Sequence, residues 1–314
     1  HKVGSFGKYV ISFKILDNKN RLISCSRKKN KKLFKYTIGG MGLTGVIYSL
    51  RIKLKKIFSD VIYEEKIKCY NLKETLLNIN KSKNWEYNVS WIDTSPSNEQ
   101  IGRSIVSRGD FQKTNKKYIY NKSTNEIFTL PNIFLFSLMN RFIIKILNTI
   151  YFNFSKSGKN LTSINEYFYP LDNIKNWNNI YGQKGFISYQ CSVPYKDANK
   201  SIFEILMTMK KYRAYSFVSV LKSMKKNDFP LSFGQNGFTL VFDFPNYKNI
   251  KMILDKVTDI VLKYNGKIYL AKDSIISKKK FKDLNSEFYE PEFIKLRKKN
   301  NYFFNSLQSK RLGL

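Results

Sequence analysis

The arrangement of apolar residues between positions 186 and 270 restricts the fold of this chain more than any other feature. Phe186 to Val193 reads as a strand, Lys196 to Tyr212 as a helix, Ser216 to Lys222 and Phe238 to Phe244 as strands, Asn246 to Tyr264 as a helix, and Lys267 to Leu270 as a strand. That β-α-β-β-α-β order is the split-βαβ arrangement and predicts an α+β fold with an antiparallel sheet. In the second helix Ile250, Ile253, Val257, Ile260, Val261 and Tyr264 recur at helical spacing, with Asn246 as N-cap and Gly266 just beyond the end.

Upstream, Tyr9 to Leu16 and Leu22 to Ser26 flank the turn cluster Asp17 to Asn20, which predicts a hairpin. Gly39-Gly40-Met41-Gly42-Leu43-Thr44-Gly45 follows, directly before Val46, Tyr48, Leu50, Ile52 and Leu54 in alternation with polar Ser49, Arg51 and Lys53, the pattern of a half-buried strand. So many glycines permit positive φ and close backbone approach, so that N–H groups can hold a phosphate; a structural turn explains the same cluster. A short helix is expected at Leu72 to Ile79, strands at Tyr87 to Ile92 and Arg103 to Arg108, a polar loop at Lys113 to Asn125, and helices in the basic tail Phe281 to Leu314.

Composition sets the function classes. The 314 residues carry 56 Lys plus Arg against 23 Asp plus Glu, a formal charge of +33, with 42% apolar and 16% aromatic residues. The apolar and aromatic content excludes a disordered chain despite the charge. Lys outnumbers Arg 47 to nine and is spread along the whole chain, which points to compositional drift and away from a nucleic-acid partner, although a long-range pull toward anionic lipid or phosphate remains. Cys25, Cys69 and Cys191 are too far apart for a disulfide scaffold or a zinc ribbon. The single histidine is residue 1, so a Ser-His-Asp triad, a Cys-His pair and a His-based metal site are excluded, and no metal is expected. Chemistry falls to Lys, Tyr, carboxylates or a cofactor.

The most apolar stretch, Ile133 to Phe154, is interrupted by Asn140, Arg141 and Lys145 and falls short of the ~18 uninterrupted apolar residues of a spanning helix. It reads as an amphipathic helix pair or a lipid-facing flap, with a core helix as the alternative. No secretory signal opens the chain, so the expected location is cytoplasmic, with peripheral contact at the inner membrane. The start on His1 instead of Met suggests a piece of a longer or processed chain.

Eight strings in order along the chain carry a resemblance: Gly4-Ser5-Phe6-Gly7, the glycine cluster 39–45, Ser90-Trp91-Ile92-Asp93, Gly102 to Gly109, Tyr169-Pro170-Leu171-Asp172, Pro230-Leu231-Ser232-Phe233, Asp243-Phe244-Pro245 and Tyr269-Leu270-Ala271-Lys272-Asp273-Ser274. Together they resemble the FAD-dependent oxidoreductases of the vanillyl-alcohol-oxidase type. The resemblance implies a partial split FAD-binding domain at 1–57, with its N-terminal half, including the first phosphate loop, upstream of this sequence. It implies a substrate-binding domain at 58–266 and a return to the FAD domain at 267–314. It implies FAD held by Gly4, Ser5, Phe6, Gly39, Gly40, Met41, Gly42, Leu43, Thr44, Gly45, Ile47 and Tyr269. Lys272 is the candidate catalytic group, with Tyr269 beside it, because a lysine near the flavin can stabilise negative charge or take a proton. Trp91, Gln190 and Lys222 are the candidate substrate contacts, Gln190 for sugar hydroxyls and Lys222 for phosphate; for each, packing or strand polarity is the alternative.

By the same resemblance the substrate is a polyprenyl-phosphate sugar, a polyprenylphosphoryl-β-D-ribose oxidised at its 2′-hydroxyl. A separate NAD(P)H-dependent keto-sugar reductase would complete epimerisation to the arabinose form for cell-envelope polysaccharide. An aldonolactone or alditol oxidase is the alternative. Ser188, Phe168, Asn179 and Val241 depart from the family pattern, which has glutamine, tyrosine, arginine and cysteine there. Without its upstream segment the piece is expected to enclose FAD incompletely and to be inactive alone.

Overall fold

The computed structural model describes residues 1–112, 128–133, 135–226 and 228–314. The expected Lys113 to Asn125 loop lies outside the described residues. Strands β1 (Val10–Leu16), β2 (Leu22–Ser26) and β3 (Val46–Ile52) form a three-stranded antiparallel sheet in the order β2-β1-β3, with helix α1 (Lys31–Thr37) between β2 and β3. The β1–β2 hairpin turns on Asp17, whose Oδ1 accepts from the N–H groups of Lys19 and Arg21, both at 2.9 Å. Phe13, Ile15, Cys25, Phe34 and Phe229 make its small core.

The second sheet has eight strands. In chain order its first half contains β4 (Val61–Cys69), α2 (Leu72–Lys81), β5 (Tyr87–Ile92) and β6 (Ser104–Phe111), then, with α3 (Arg141–Phe154) and α4 (Ile164–Phe168) on either side, β8 (Gly158–Ser163), while β7 (Phe128–Thr129) and β9 (Ile174–Lys175) pair in parallel as a separate two-stranded sheet. Then come β10 (Phe186–Pro194), α5 (Ala198–Lys211), β11 (Ser219–Met224), β12 (Gly237–Pro245), α6 (Ile250–Lys263) and β13 (Lys267–Ile268), the split-βαβ unit that the periodicity predicts. The order β13-β10-β12-β11-β5-β6-β4-β8 joins this unit to the earlier strands into one antiparallel sheet. Successive side chains alternate faces. Cys191, Val193, Leu221, Leu240 and Phe242 therefore pack against Ile202, Ile205, Leu206 and Met209 of α5 and Ile253, Leu254, Val257 and Val261 of α6 in the main core. The other face of β10, β11 and β12 is left for the site.

The tail forms α7 (Lys278–Leu284), α8 (Pro291–Lys299) and α9 (Leu307–Leu312). It reaches back to the first sheet: Tyr36 Oη donates to Glu290 at 2.6 Å, Lys32 pairs with Glu292 at 2.9 Å, and Asn300 Nδ2 donates to the Thr44 carbonyl at 3.1 Å.

Three expectations need correction. The N-cap position of α6 is Asn249; Asn246 lies before it and its Nδ2 donates to the Lys184 carbonyl at 3.1 Å. Among its described residues the apolar stretch yields one helix, α3, because Asn140 accepts from the N–H groups of Phe142 and Ile143 at 3.0 Å and so fixes the start there. Strand β3 is exposed along its whole length, and its alternation is broken. Lys14 and Ile15 of β1 are adjacent, yet they pair with Ser49 and Ile47, so Tyr48 is an extra residue that shifts the parity of the strand. Ile47 and Leu50 consequently line the same cavity.

Candidate active site

The free face of the large sheet and the three-stranded sheet enclose a cavity of about 810 Å³. Its floor follows from strand register. Gln190, Val241 and Val220 are aligned across β10, β12 and β11, with Lys222 opposite Thr239 and Asp243 opposite Ser188. Gln190, Val241, Asp243, Val220 and Lys222 all line the cavity. The facing wall comes from Gly4, Ser5, Phe6, Gly39, Met41 and Ile47, and one end is closed by the Tyr269–Lys272 turn. Residues far apart in sequence thus meet, including both candidate catalytic residues and two of the three candidate substrate contacts.

The glycine cluster separates into a structural part and a presenting part. A side chain at Gly40 would place Cβ 2.3 Å from the Tyr36 carbonyl oxygen, so the turn itself demands this glycine. Leu43 is buried in the main core, Thr44 Oγ1 lies 2.9 Å from Thr37 Oγ1, and Gly45 packs on Leu16 and Ile15; these three residues face inward, away from the cavity. Met41 and Gly42 adopt successive left-handed conformations, φ 55° and 77°, and a Cβ at Gly42 would meet nothing within 4 Å. The N–H groups of Gly40, Leu43 and Gly45 are used within the turn, while those of Met41 and Gly42 make no hydrogen bond among the described residues. Successive free N–H groups in a turn can hold an anion, and Met41 lines the cavity. Ser5 Oγ on the same wall is buried without a hydrogen-bond partner among the described residues. These features fit an elongated cofactor with phosphate oxygens.

Tyr269 N–H donates to the Gln190 carbonyl at 2.9 Å, and its ring packs on Phe233 with centroids 5.0 Å apart. Lys272 is exposed toward the cavity and makes no side-chain hydrogen bond or ion pair among the described residues. Its turn is held from behind. Gln308 Nε2 of α9 donates to the carbonyls of Leu270 at 2.7 Å and Asp273 at 3.1 Å. Arg311 pairs with buried Asp273 at 2.6 Å and also donates to the Ile276 carbonyl.

Electrostatics divide the floor. Apolar surroundings, and secondarily the charge of Lys272, hold the Lys222 ammonium below its ordinary pKa. Burial pushes the Asp243 carboxyl up, opposed by a hydrogen bond donated by Ser188 and by the Lys272 charge. Gln190 Nε2 donates to Thr239 Oγ1 at 3.1 Å. The cavity therefore offers three cations, Lys222, Lys225 and Lys272, with a buried acid and an amide to a polar ligand, among apolar Val218, Val220, Val241 and Phe233.

Trp91 stands apart. It lies on β5 opposite Val220, but its Nε1 donates to the Phe217 carbonyl at 2.9 Å and its ring packs edge-on against Tyr151 of α3, so it joins α3 to the sheet and does not line the cavity. Asp243, Val220 and Asn285 line the cavity without being candidate site residues from sequence. For Asp243 a signal exists: it alternates with Val241 and Thr239 along β12, on the face that carries Gln190.

The fold is similar to that of a solved oxidase. The structure of xylooligosaccharide oxidase from Myceliophthora thermophila C1, in complex with xylobiose, aligns with a TM-score of 0.55 and 11% identity over 93% of this chain and 63% of that one. In sequence, the chain is similar to decaprenylphosphoryl-β-D-ribose oxidase of Mycolicibacterium smegmatis, with 28% identity over 285 residues, 87% of this chain. The match spans 62% of that oxidase's length. The resemblance carried by the eight strings is thus matched along most of the chain. No family model matches the sequence.

Proposed function

We propose that this chain is the greater part of an FAD-dependent oxidoreductase that oxidises the 2′-hydroxyl of a polyprenylphosphoryl-β-D-ribose to the 2′-keto sugar. The observation that carries this reading is one cavity in which Gly39, Met41 and Ser5 stand across from Lys222, Gln190 and Lys272. The similarity to decaprenylphosphoryl-β-D-ribose oxidase supports the substrate class. In this reading residues 1–57 and 267–314 serve the cofactor and 58–266 the substrate. Gly4, Ser5, Phe6, Gly39, Met41, Gly42 and Ile47 would hold FAD, with Tyr269 closing the cradle. Bound FAD would supply a hydride acceptor. Lys222 neutralises the substrate phosphate, Gln190 and Asp243 orient sugar hydroxyls, and Lys272 stabilises negative charge or takes the hydroxyl proton as the C–H bond is oxidised. A separate NAD(P)H-dependent reductase would consume the keto sugar.

Lipid contact belongs to the same reading. Phe142, Ile146, Ile150 and Phe154 of α3 recur at four-residue intervals and are 69%, 42%, 49% and 80% exposed, and Ile133 and Phe136 stand exposed just before them. Trp91 and Tyr151 join this helix to the strand beside the cavity floor. The stripe would meet the polyprenyl chain or a bilayer surface; among the described residues no helix is long and apolar enough to cross a membrane.

The test is the visible spectrum of the full-length protein before and after anaerobic addition of decaprenylphosphoryl ribose. Bleaching of the oxidised band is expected, and Lys272→Met should bind FAD yet not bleach. A flavin that stays oxidised would redirect the reading to aldonolactones and alditols. A colourless protein would overturn it.

A further inference from the structure

One polar side chain of the cavity has no role in the reading above. Asn285 follows α7 and is 4% exposed. Its backbone is satisfied: its N–H donates to the Phe281 carbonyl at 2.9 Å and its carbonyl accepts from Phe288 N–H at 3.1 Å. Its side chain lines the cavity, and Nδ2 is buried with no hydrogen-bond partner among the described residues. Apolar groups accompany it: Phe288 and Ile268 line the same cavity, and Phe281 and Leu284 precede it in the main core. A carboxamide in such a place is costly. A buried amide donor left unmade costs roughly 1–3 kcal/mol, and a leucine of the same shape would avoid the cost.

We propose that Asn285 is a binding residue for the cofactor, its Nδ2 donating to an oxygen or ring-nitrogen acceptor of bound FAD. The inference rests on the FAD reading above and extends it to the tail. The same cavity holds Ser5 Oγ, its other buried polar atom without a partner among the described residues. The segment carrying Asn285 is tied to the glycine-loop side through Phe288, which packs on Phe293 with centroids 5.6 Å apart, and through Phe293, which stacks on Tyr36 at 6.0 Å. An acceptor supplied by the cofactor would complete the amide, and the energetic cost of Asn285 in the FAD-free form would return as binding free energy.

This gives a test with two readouts that move in opposite directions. In the full-length protein, Asn285→Leu is expected to leave the melting temperature of the FAD-free form unchanged or raised. The same variant should weaken FAD binding, measured by quenching of flavin fluorescence, about 5- to 30-fold. Asn285→Asp, which keeps the size but removes the donor, should weaken FAD binding at least as much. A lower melting temperature for the FAD-free Leu variant would overturn the proposal, since the amide would then already be satisfied within the protein. Unchanged FAD affinity in both variants would also overturn it, including the case in which only the KM for the sugar phosphate rises. Failure of the unsubstituted protein to bind FAD is a separate result and strikes the parent reading alone.

Discussion

Replacing Arg311 by Met should damage both the stability of the chain and the placement of Lys272. Asp273 follows Lys272 directly, and its side chain is 1% accessible. Truncating one partner of a buried ion pair costs about 3–5 kcal/mol, because the other charge is left unpaired. Two features reduce that here. Arg311 is 30% accessible, and the Asp273 carboxylate also accepts from the N–H groups of Ile275 at 3.0 Å and Ile276 at 2.9 Å. We therefore expect about 2 kcal/mol, which at roughly 2 °C per kcal/mol for a chain of this size lowers Tm by about 4 °C. The turn that bears Lys272 would remain tied to α9 only through Gln308, so kcat should fall about 10-fold or more while FAD affinity stays. Calorimetry and steady-state kinetics measure the two effects. The decisive variant is the double substitution Arg311→Met with Asp273→Asn: Asn can still accept from the backbone N–H groups, so half or more of the lost stability should return, with kcat still depressed. Additive losses in the double variant, or an Arg311→Met protein with unchanged Tm and kcat, would refute the argument.

Lys222→Met should raise KM for a phosphate-bearing substrate about 10-fold or more with little change in kcat, and should leave the ligand-free protein no less stable. The sign of its pH dependence is set by the lowered folded-state pKa: the cost of holding the ammonium charged beside Lys272 is complete at neutral pH and disappears as pH rises through the folded value toward the ordinary 10.5, so any stability gap to the variant closes in alkali. Val241 lines the cavity where the family pattern has a cysteine, so nitroaromatic inhibitors that react through that cysteine should leave no adduct by intact-protein mass spectrometry, and Val241→Cys should gain one. Phe142→Ser with Phe154→Ser should reduce sedimentation with anionic vesicles severalfold without lowering Tm, since both rings are exposed; equal sedimentation would remove α3 from the lipid reading.

Much of the fold is legible because burial on one side writes itself into spacing. The period-two strands β10 and β12 and the apolar stripe of α6 each state their own element type. What spacing cannot state is the partner across the gap. Tyr48 is one residue too many against Lys14 and Ile15, a mismatch that exists only once β1 and β3 are paired, so the alternation from Val46 to Leu54 looks regular in isolation. Trp91 faces the same way as Val220, yet the arrival of Tyr151 on α3 decides what its ring touches. The site shows the same division. Short strings mark Gly39, Met41, Tyr269 and Lys272, whose local turns carry composition signals. Asp243 sits inside a recognisable string but gains meaning from strand register, while Asn285, Gln308 and Arg311 act across more than thirty positions of sequence or through the cavity itself and leave no local trace.

Strand β3 also has a bearing on how the protein must be handled. Among the described residues it is an outer strand of its sheet, with one edge of its hydrogen-bond ladder unpaired, and Val46, Ile47, Tyr48, Leu50 and Ile52 are all exposed along it. A long apolar edge is a template for joining a second chain. What keeps two such edges apart in dilute buffer is charge: +33 on each copy repels over the Debye length, about 30 Å at 0.01 M salt but only about 3 Å at 1 M. Salt, usually added to quiet a basic protein, here removes the repulsion and leaves the sticky edge in command, so light scattering against ionic strength should show association that grows as the ions are added.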